Sequence, residues 1–476
     1  MKQYPTQGRL RTTGAGIRMS GLAITLIAIV LSACAVTPDL NRLYAVSSAD
    51  RRQNPVILVH GILGSKLREK NGKEIWPGSF TRFLFGGQLE SLSLKIDPDT
   101  LEAEPGDSEA YALFDSVVAN RYLVRIRRTL EEAGGYSFAE AGTPSRSNEQ
   151  RYYVFIYDWR RDLVQSAARL DELVEQIRRD YNDPDLKVDI VAHSMGAILT
   201  RYFLRYGSED VLGSDTFEPT QVGAAKVRKV ILIAAPNMGS ITGLQIFMKG
   251  RRLGAAVLHP EILATMPSAY QVLPDPDRDW MITREGKRLN RDLYSIDTWR
   301  DFRWSVFDAR VRRRIRRRFD TKSDADQYLA VLERYFEKNL LRAKRFHRAL
   351  SLPLRRTSVR YVVFGGDCTL TPARCLIERV NGQAKLRLFP DQIENPMPGV
   401  DYTKLMLEPG DGRVTKPSLL ARNALDPSAP VKEPGAFPLA YSVLLCATHT
   451  GLTADITFQD NLLNILLTQT TTEDRI

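Results

Sequence analysis

The segment Ala192-His193-Ser194-Met195-Gly196 holds the residues best suited to covalent chemistry. It follows the apolar, β-branched run 188–192 and precedes a helix-like segment. A serine in a sharp turn between a strand and a helix presents its hydroxyl above the sheet edge, near a helix N-terminus. Gly196 leaves room for such a turn, while Ala192 adds only one methyl group beside it. The pattern predicts that Ser194 is a nucleophile.

A serine nucleophile needs a base, because its unassisted hydroxyl reacts poorly at neutral pH. Of the five histidines, His193 would point away from the adjacent serine, and His60 ends the first apolar run. His259 and His347 fall in a helix-rich stretch, where packing accounts for them. His449 follows a mostly apolar run and precedes a helix-like segment, so it lies on a loop just past a strand. His449 is therefore the predicted base.

Two aspartates are candidates for the carboxylate that orients this imidazole. Asp367 follows the strand-like run 359–364 through two glycines. Asp411 lies in the glycine-rich loop 409–414. The residues by themselves favour neither.

A second loop, His60-Gly61-Ile62-Leu63-Gly64, follows the first apolar run. Its glycines allow backbone N–H groups to turn toward the serine, where the oxyanion of a tetrahedral intermediate would form. The predicted donors are the amide of Ile62 or Leu63 together with the amide of Met195, the residue after the nucleophile. The alternative is a tight turn with no catalytic part.

The elements that would position these residues alternate along the chain. Short apolar, β-branched runs are typical of strands buried on both faces of a sheet. Helical patterns between them, such as 168–179, indicate an α/β fold with a mainly parallel sheet. The predicted strands are 55–59, 152–157, 188–192, 230–234 and 359–364.

Residues 236–356 differ, because they are charged and helix-prone and contain no convincing strand. We expect a helical insertion between two strands of the sheet. Within it, apolar residues recur at every fourth position from Phe307 to Phe319, with arginines between them. This basic amphipathic helix, 307–319, either packs its apolar stripe on the core or lies on a membrane surface.

Composition and charge limit the class of protein. The 476 residues are 43% apolar and 26% charged, which suits one large domain with an insertion, or two ordinary domains, and excludes a disordered or multi-span membrane chain. The formal charge of +11 favours anionic partners such as phospholipid surfaces or nucleic acid. No recognised nucleic-acid-binding fold is present, so nucleic acid is the disfavoured partner. Oligomeric state is not encoded in any pattern.

The N-terminus predicts export. Basic residues precede the apolar run Leu22 to Leu31, which is short for a membrane span. The run ends in Leu31-Ser32-Ala33-Cys34, which resembles the lipobox of bacterial lipoproteins. Residues 1–34 are thus predicted to be a lipoprotein signal peptide, with Cys34 lipidated and 35–54 a linker. The alanine after the cysteine favours the outer membrane, on its periplasmic face; an ordinary cleaved signal peptide is the alternative.

Export would place the remaining cysteines in an oxidising compartment, where disulfides persist. Cys368 and Cys375 bracket a tight segment and are close enough in sequence to close a small loop, which would leave Cys446 unpaired. The alternative, equally open, is that all three are buried thiols.

Taken together, these segments resemble the lecithin:cholesterol acyltransferase family, whose phospholipases and acyltransferases have the α/β-hydrolase fold. The matching segments, in order, are Pro55-Val56-Ile57-Leu58-Val59-His60-Gly61-Ile62-Leu63-Gly64-Ser65, Tyr157-Asp158-Trp159-Arg160, His193-Ser194-Met195-Gly196, Ala235-Pro236-Asn237-Met238-Gly239-Ser240, Gly410-Asp411-Gly412 and the segment around His449. A second glycine-containing motif, which some members carry between the first two of these segments, is not found here.

The resemblance implies an α/β-hydrolase core formed by residues 55–235 and 357–476. It implies that the insertion 236–356 is a cap over an acyl-binding site. Because the family takes its aspartate from a Gly-Asp-Gly-like loop, it favours Asp411 over Asp367 as the acid.

The predicted function is cleavage of lipid acyl esters through an acyl-enzyme on Ser194, which requires no metal or cofactor. Transfer of the acyl group to a lipid hydroxyl is the close alternative, because only the acceptor of the second step differs. A non-catalytic lipid-binding envelope lipoprotein is the alternative from another class.

Overall fold

The computed structural model describes residues 37–49, 53–78, 89–104, 106, 108–114, 121–146, 149–354, 357–422 and 438–468. The predicted signal peptide and Cys34 lie outside these residues. Within them, no helix is both long enough and apolar enough to cross a membrane.

Helices separate most strands of the central sheet, as expected of an α/β chain. The strands are β1 (Val56–Val59), β2 (Ser65–Glu69), β3 (Glu74–Trp76), β4 (Ser108–Leu113), β5 (Ser137–Phe138), β6 (Arg151–Phe155), β7 (Val188–His193), β8 (Val227–Ile233), β9 (Arg251–Leu253), β10 (Ala256–Leu258), β11 (Met281–Ile282), β12 (Arg360–Gly366), β13 (Thr369–Pro372), β14 (Cys375–Val380), β15 (Gln383–Arg387), β16 (Leu407–Gly410) and β17 (Leu439–Leu445). The α-helices are α1 (Leu40–Ala49), α2 (Arg121–Glu132), α3 (Leu163–Asp180), α4 (Met195–Tyr206), α5 (Ile241–Lys249), α6 (Pro260–Leu263), α7 (Pro267–Gln271), α8 (Ile296–Phe302), α9 (Ala309–Arg316), α10 (Lys322–Ser351), α11 (Tyr402–Met406), α12 (Lys416–Leu419) and α13 (Ile456–Leu467).

Seven strands form a wholly parallel sheet in the order β5-β6-β1-β7-β8-β12-β17. Each of the five strands expected from the sequence is one of these seven. The predicted α/β class, with a mainly parallel sheet flanked by helices, is confirmed.

The sheet is covered on both faces, which explains its continuous apolar runs. In β1, Ile57 and Val59 belong to one core cluster, whereas Val56 and Leu58 belong to another, and all four are fully buried. Helices α3 and α4 pack in the first cluster, and α2 and α13 pack in the second. Because successive side chains of a strand point to opposite faces, a strand covered on both sides is apolar at most positions.

The insertion is mainly helical, but the expectation that it lacks strands is wrong. Strands β9 and β10 form an antiparallel hairpin, and β11 pairs with β14 of the returning chain. These strands are two or three residues long, too short to produce a periodic pattern in the sequence. Residues 40–49 of the predicted linker form α1, whose Tyr44 donates a hydrogen bond to Asp460 of α13.

The basic helix is shorter than the predicted range 307–319. It begins after Asp308, whose carboxylate accepts hydrogen bonds from the amides of Arg310 and Val311, and it ends at Arg316. Phe307, Val311 and Ile315 are buried in the same core cluster as the sheet. The apolar stripe therefore packs inward, as in the first of the two alternatives.

The arginines of this segment contact acidic groups of the cap and of the neighbouring loops. The ion pairs are Arg312–Glu333, Arg314–Glu261, Arg316–Asp326 and Arg318–Glu90. Much of the local positive charge is thus balanced within the protein.

Candidate active site

Ser194 lies in the turn between β7 and α4, as the local sequence predicts. Its φ is 54° and its ψ is −123°, a conformation that residues with a Cβ rarely adopt. The turn is held by the Ser194 amide, which donates to the carbonyl of Ile233 in β8 at 2.9 Å. The surrounding sheet thereby maintains a strained serine above its edge.

Two glycines allow this turn to pack against the loop after β1. A Cβ on Gly196 would lie 2.3 Å from the carbonyl oxygen of His60, and a Cβ on Gly61 would lie 3.0 Å from the Cβ of Ser194. Ala192 is fully buried in β7, so the methyl group that replaces hydrogen there is accommodated in the core. Glycine is required two residues after the serine, because the backbone there contacts the backbone of His60.

The structure brings Ser194, His449 and Asp411 into one hydrogen-bonded chain. The Nε2 atom of His449 lies 3.0 Å from Oγ of Ser194, and its Nδ1 atom lies 2.9 Å from Oδ2 of Asp411. The backbone amide of His449 also donates to the carbonyl of Asp411 at 3.0 Å. His449 is thus hydrogen-bonded to Asp411 through both its imidazole ring and its backbone amide.

The remaining carboxylate oxygen of Asp411 is also engaged. Its Oδ1 atom accepts hydrogen bonds from the amides of Arg413 at 2.9 Å and Val414 at 2.8 Å. Burial by itself raises the pKa of Asp411, but the adjacent His449 and these two amides outweigh burial and hold the pKa below its usual value. The carboxylate is therefore ionised at neutral pH. In this form it can orient the imidazole ring of His449 and stabilise the imidazolium cation.

Asp367, the other candidate acid, lies elsewhere. Its carboxylate forms an ion pair with Lys416 at 3.0 Å, and more than a quarter of its side chain is exposed. The geometry therefore agrees with the choice implied by the family resemblance.

His193 and His60 pack around the serine turn as neutral rings. Burial lowers the pKa of His193 to about 3 and the pKa of His60 to about 4. His193 stacks on Tyr122 and donates from Nε2 to the carbonyl of His449 at 3.2 Å. His60 stacks on Tyr157. Both rings support the loops that carry the site.

The two histidines of the insertion have the packing roles expected of them. His347 is buried among the helices of the cap, and burial lowers its pKa to about 4. His259 is only partly buried and precedes α6. Neither lines the cavity that contains Ser194.

Ile62, Leu63 and Met195 all line the same cavity as Ser194. Met195 is the first residue of α4, where helix geometry supplies no partner for the amide. Leu63 has a φ of 65°, so the loop makes its turn there. No pattern in the sequence points to Tyr122, whose hydroxyl accepts a hydrogen bond from the amide of Gly61 at 3.2 Å and fixes the start of this loop.

The cavity above Ser194 has a volume of about 100 Å³ and is mainly apolar. The cap contributes much of its wall through α5, the β9–β10 hairpin and α6. The lining residues are Ile62, Leu63, Ser194, Met195, Pro236, Ser240, Thr242, Gly243, Ile246, Phe247, Arg251, Leu258, Leu263, Ala269, Val272, Arg413, Val414 and His449. Among the described residues, no group of three or more His, Cys, Asp or Glu side chains is arranged to hold a metal ion.

The proposed pairing of Cys368 with Cys375 is wrong. Cys368 forms a disulfide with Cys446, 78 residues away, and Cys375 is a buried free thiol. Strands β12 and β17 are parallel neighbours, so their carboxyl ends, followed by Cys368 and Cys446, meet at one sheet edge. Cys375 instead begins β14, which directs it into the core.

The segment Tyr157 to Arg160 connects neighbouring parts of the core. Arg160 and Asp158 form a buried ion pair at 2.7 Å. Arg160 also donates to the hydroxyl of Ser108, and the indole of Trp159 donates to the carbonyl of Ser65. These contacts join the segment after β6 to the first residues of β2 and β4.

Known proteins resemble this chain in part of its sequence and in its fold. Residues 148–294 match the family model of lecithin:cholesterol acyltransferase. A comparison with curated protein sequences gave no match. Among solved structures, a chain of the Tle4–Tli4 complex is similar, with a TM-score of 0.51 and 14% identity over 87% of this chain and 98% of that one.

Two bacterial proteins also align over most of the chain at lower similarity. EstA from Clostridium botulinum has a TM-score of 0.32 and 13% identity, covering 87% of each chain. Lipase 1 from Pelosinus fermentans has a TM-score of 0.32 and 12% identity, covering 88% of this chain and 100% of that one. The family match supports activity on lipid esters, as a hydrolase or an acyltransferase. The predicted resemblance is confirmed: the chain matches the lecithin:cholesterol acyltransferase family over residues 148–294, within an α/β-hydrolase fold.

Proposed function

We propose that the protein is a serine hydrolase that cleaves lipid acyl esters through an acyl-enzyme on Ser194. The observation that carries the proposal is the hydrogen-bonded chain from Ser194 through His449 to Asp411, which opens into an apolar cavity roofed by the cap. Apolar walls suit an acyl chain, and the polar groups converge where its ester would lie.

In the first step, His449 takes the proton of Ser194 as the oxygen attacks the ester carbonyl. Asp411 keeps the Nδ1 proton of the ring in place and stabilises the imidazolium that forms. The amide of Met195, with that of Ile62 or Leu63, stabilises the oxyanion. Protonation of the leaving alcohol by His449 then gives the acyl-enzyme.

In the second step, His449 activates water, which attacks the acyl-enzyme and releases the fatty acid. A lipid hydroxyl in place of water would make the protein an acyltransferase, and the same residues would serve both reactions. Product analysis with a labelled phospholipid, with and without a sterol or glycerolipid acceptor, distinguishes the two activities.

A fluorophosphonate probe tests the nucleophile directly. We expect the wild-type protein to be labelled at Ser194 and Ser194→Ala to be unlabelled and inactive on every ester. Ser208→Ala, on the exposed surface after α4, is the matched control and should be labelled like the wild type. Equal labelling of wild type and Ser194→Ala would refute the proposal, and failure to label either would favour a non-catalytic lipid-binding protein.

We also propose that the chain is exported and anchored to the envelope through a lipid on Cys34. The disulfide between Cys368 and Cys446 supports export, because such bonds persist in oxidising compartments. Radiolabelled palmitate should be incorporated into the wild type and lost in Cys34→Ser. Incorporation into both would contradict the assignment.

A further inference from the structure

Two arginines line the mainly apolar cavity above Ser194. Arg251 comes from β9 of the cap, and Arg413 comes from the loop that holds Asp411. Both are partly buried, and no aspartate or glutamate is among the described residues that line the cavity. Within the described part of the chain, neither guanidinium forms an ion pair or a side-chain hydrogen bond, unlike the paired arginines of α9.

Local structure holds each arginine in this position. Gly250 ends α5 with a φ of 80°, and a Cβ there would lie 2.5 Å from the carbonyl oxygen of Leu258. The chain therefore turns sharply into β9, where Arg251 lines the cavity and the next residue, Arg252, is exposed. Alternation along a strand explains why the two neighbours point to opposite sides.

Arg413 is fixed through its main chain. Its carbonyl accepts a hydrogen bond from the hydroxyl of Ser240 at 2.7 Å, and its amide donates to Asp411 at 2.9 Å. Ser240 caps α5, the helix that leads to Arg251. The two arginines are thus carried by connected segments on one side of the cavity.

The arrangement brings two positive charges together, and neither of them is ion-paired with a carboxylate of the described residues. Burial and the positive charge of Arg413 lower the pKa of Arg251 to about 10. Burial also lowers the pKa of Arg413, although the nearby Asp411 opposes this effect. Asp411 itself is bonded to His449 and to backbone amides, so it does not pair with either guanidinium. Partly desolvated cations that repel each other would be stabilised by an anion between them.

We infer that Arg251 and Arg413 bind the phosphate of an anionic phospholipid whose acyl ester lies at Ser194. Guanidinium groups bind phosphate oxygens in a bidentate manner, and a phosphodiester lies only a few bonds from the acyl esters of a glycerophospholipid. A zwitterionic head group would bring its ammonium toward two cations. The inference rests on the proposed function and specifies its substrate class.

The test compares three esters with the same acyl chains, presented in mixed micelles at equal surface mole fraction. The substrates are dioleoyl phosphatidylglycerol, dioleoyl phosphatidylcholine and dioleoylglycerol. We expect the wild type to have its highest kcat/KM on phosphatidylglycerol. In Arg251→Gln and Arg413→Gln, the ratio of kcat/KM on phosphatidylglycerol to that on dioleoylglycerol should fall at least about tenfold.

Arg252→Gln is the matched control, because it removes an equal charge from the exposed side of the same strand. It should keep the wild-type ratio. Should Arg251→Gln slow all three substrates equally, the arginine would be structural and the inference overturned. A wild type that does not prefer phosphatidylglycerol to the other two lipids would overturn it as well.

Inorganic phosphate separates a lipid head group from free phosphate. If phosphate inhibits the wild type but not Arg251→Gln, and phosphatidylglycerol is not preferred, the subsite binds free phosphate and the lipid assignment is overturned. The Ser194→Ala variant distinguishes failure of the head-group inference from failure of the proposed function. Ser194-dependent cleavage without head-group discrimination refutes only the inference, whereas no cleavage of any ester by the wild type refutes the proposed function.

Discussion

Gly196 packs against His60 so closely that a Cβ at position 196 would lie 2.3 Å from the His60 carbonyl oxygen. The serine turn and the loop after β1 therefore meet through backbone atoms. This contact sets the distance between Ser194 and the loop that carries Ile62 and Leu63.

We expect Gly196→Ala to separate these two segments, because the contacted atom belongs to backbone that cannot rotate away. The free energy of unfolding should fall by about 1–3 kcal/mol, and fluorophosphonate labelling of Ser194 should slow. Gly213→Ala is the control, since a Cβ there has no atom within 4 Å. Wild-type stability and labelling in Gly196→Ala would contradict this account of the turn.

The identity of the acid is tested by Asp411→Asn. Loss of its charge removes the group that orients His449 and stabilises its cation, so kcat should fall by about 10³ to 10⁴-fold with little change in secondary structure. Asp367→Asn loses only a partly exposed ion pair with Lys416 and should stay within about twofold of the wild type. Steady-state kinetics on a short-chain ester decide the matter. Near-normal turnover by Asp411→Asn would show that the acid is misassigned.

The disulfide should contribute measurably to stability. It closes a segment with a sequence separation of 78, and restriction of the unfolded chain predicts a contribution of about 4 kcal/mol. Cys368→Ser, Cys446→Ser and the double variant should therefore be destabilised to a similar extent in urea unfolding. Peptide mapping without reduction should link Cys368 to Cys446. A link from Cys368 to Cys375 would contradict the structure.

Stability should fall in mild acid because of three buried histidines. Burial lowers the pKa of His60 and His347 to about 4 and the pKa of His193 to about 3. Below about pH 6.5 the unfolded chain binds protons at these rings, whereas the folded chain does not until about pH 4. The unfolded state then holds more protons, so stability is highest above pH 6.5 and declines toward pH 4.

Urea unfolding at about pH 7 and about pH 5 measures this effect, which should be on the order of 1–2 kcal/mol per histidine. His347→Leu, at a residue of the cap that does not line the cavity of Ser194, should lower stability at neutral pH and reduce the difference between the two pH values. Equal stability of the wild type at both values would show that the rings do not remain neutral in the folded protein.

Much of the site was predictable because its signals are local. The strand, the strained serine and the helix that follows occupy adjacent residues. One short segment of sequence therefore predicts β7, Ser194 and α4 together. The apolar runs of the sheet are recognisable for a similar reason, since strands covered on both faces are apolar at most positions. His449 required elimination as well, which the small number of histidines allowed.

Other features depended on which distant segments the fold brings together. Asp411 lies 38 residues from His449, and residues alone did not separate it from Asp367. Cys368 had a near neighbour in sequence, but its partner is Cys446, because β12 and β17 are adjacent in the sheet. Sequence proximity is a poor guide where parallel strands end at a common edge.

The sequence by itself thus determined the position of the candidate nucleophile Ser194, the parallel α/β core and the presence of a largely helical insertion, since each follows from residue spacing within a segment. Only the tertiary structure decided that Asp411 contacts His449, that Cys368 joins Cys446 and that Arg251 and Arg413 share the cavity of Ser194. The physical reason is that hydrogen bonds, disulfides and charge repulsion act over a few ångströms of space. Chain folding, which joins the cap to the sheet edge, sets those distances.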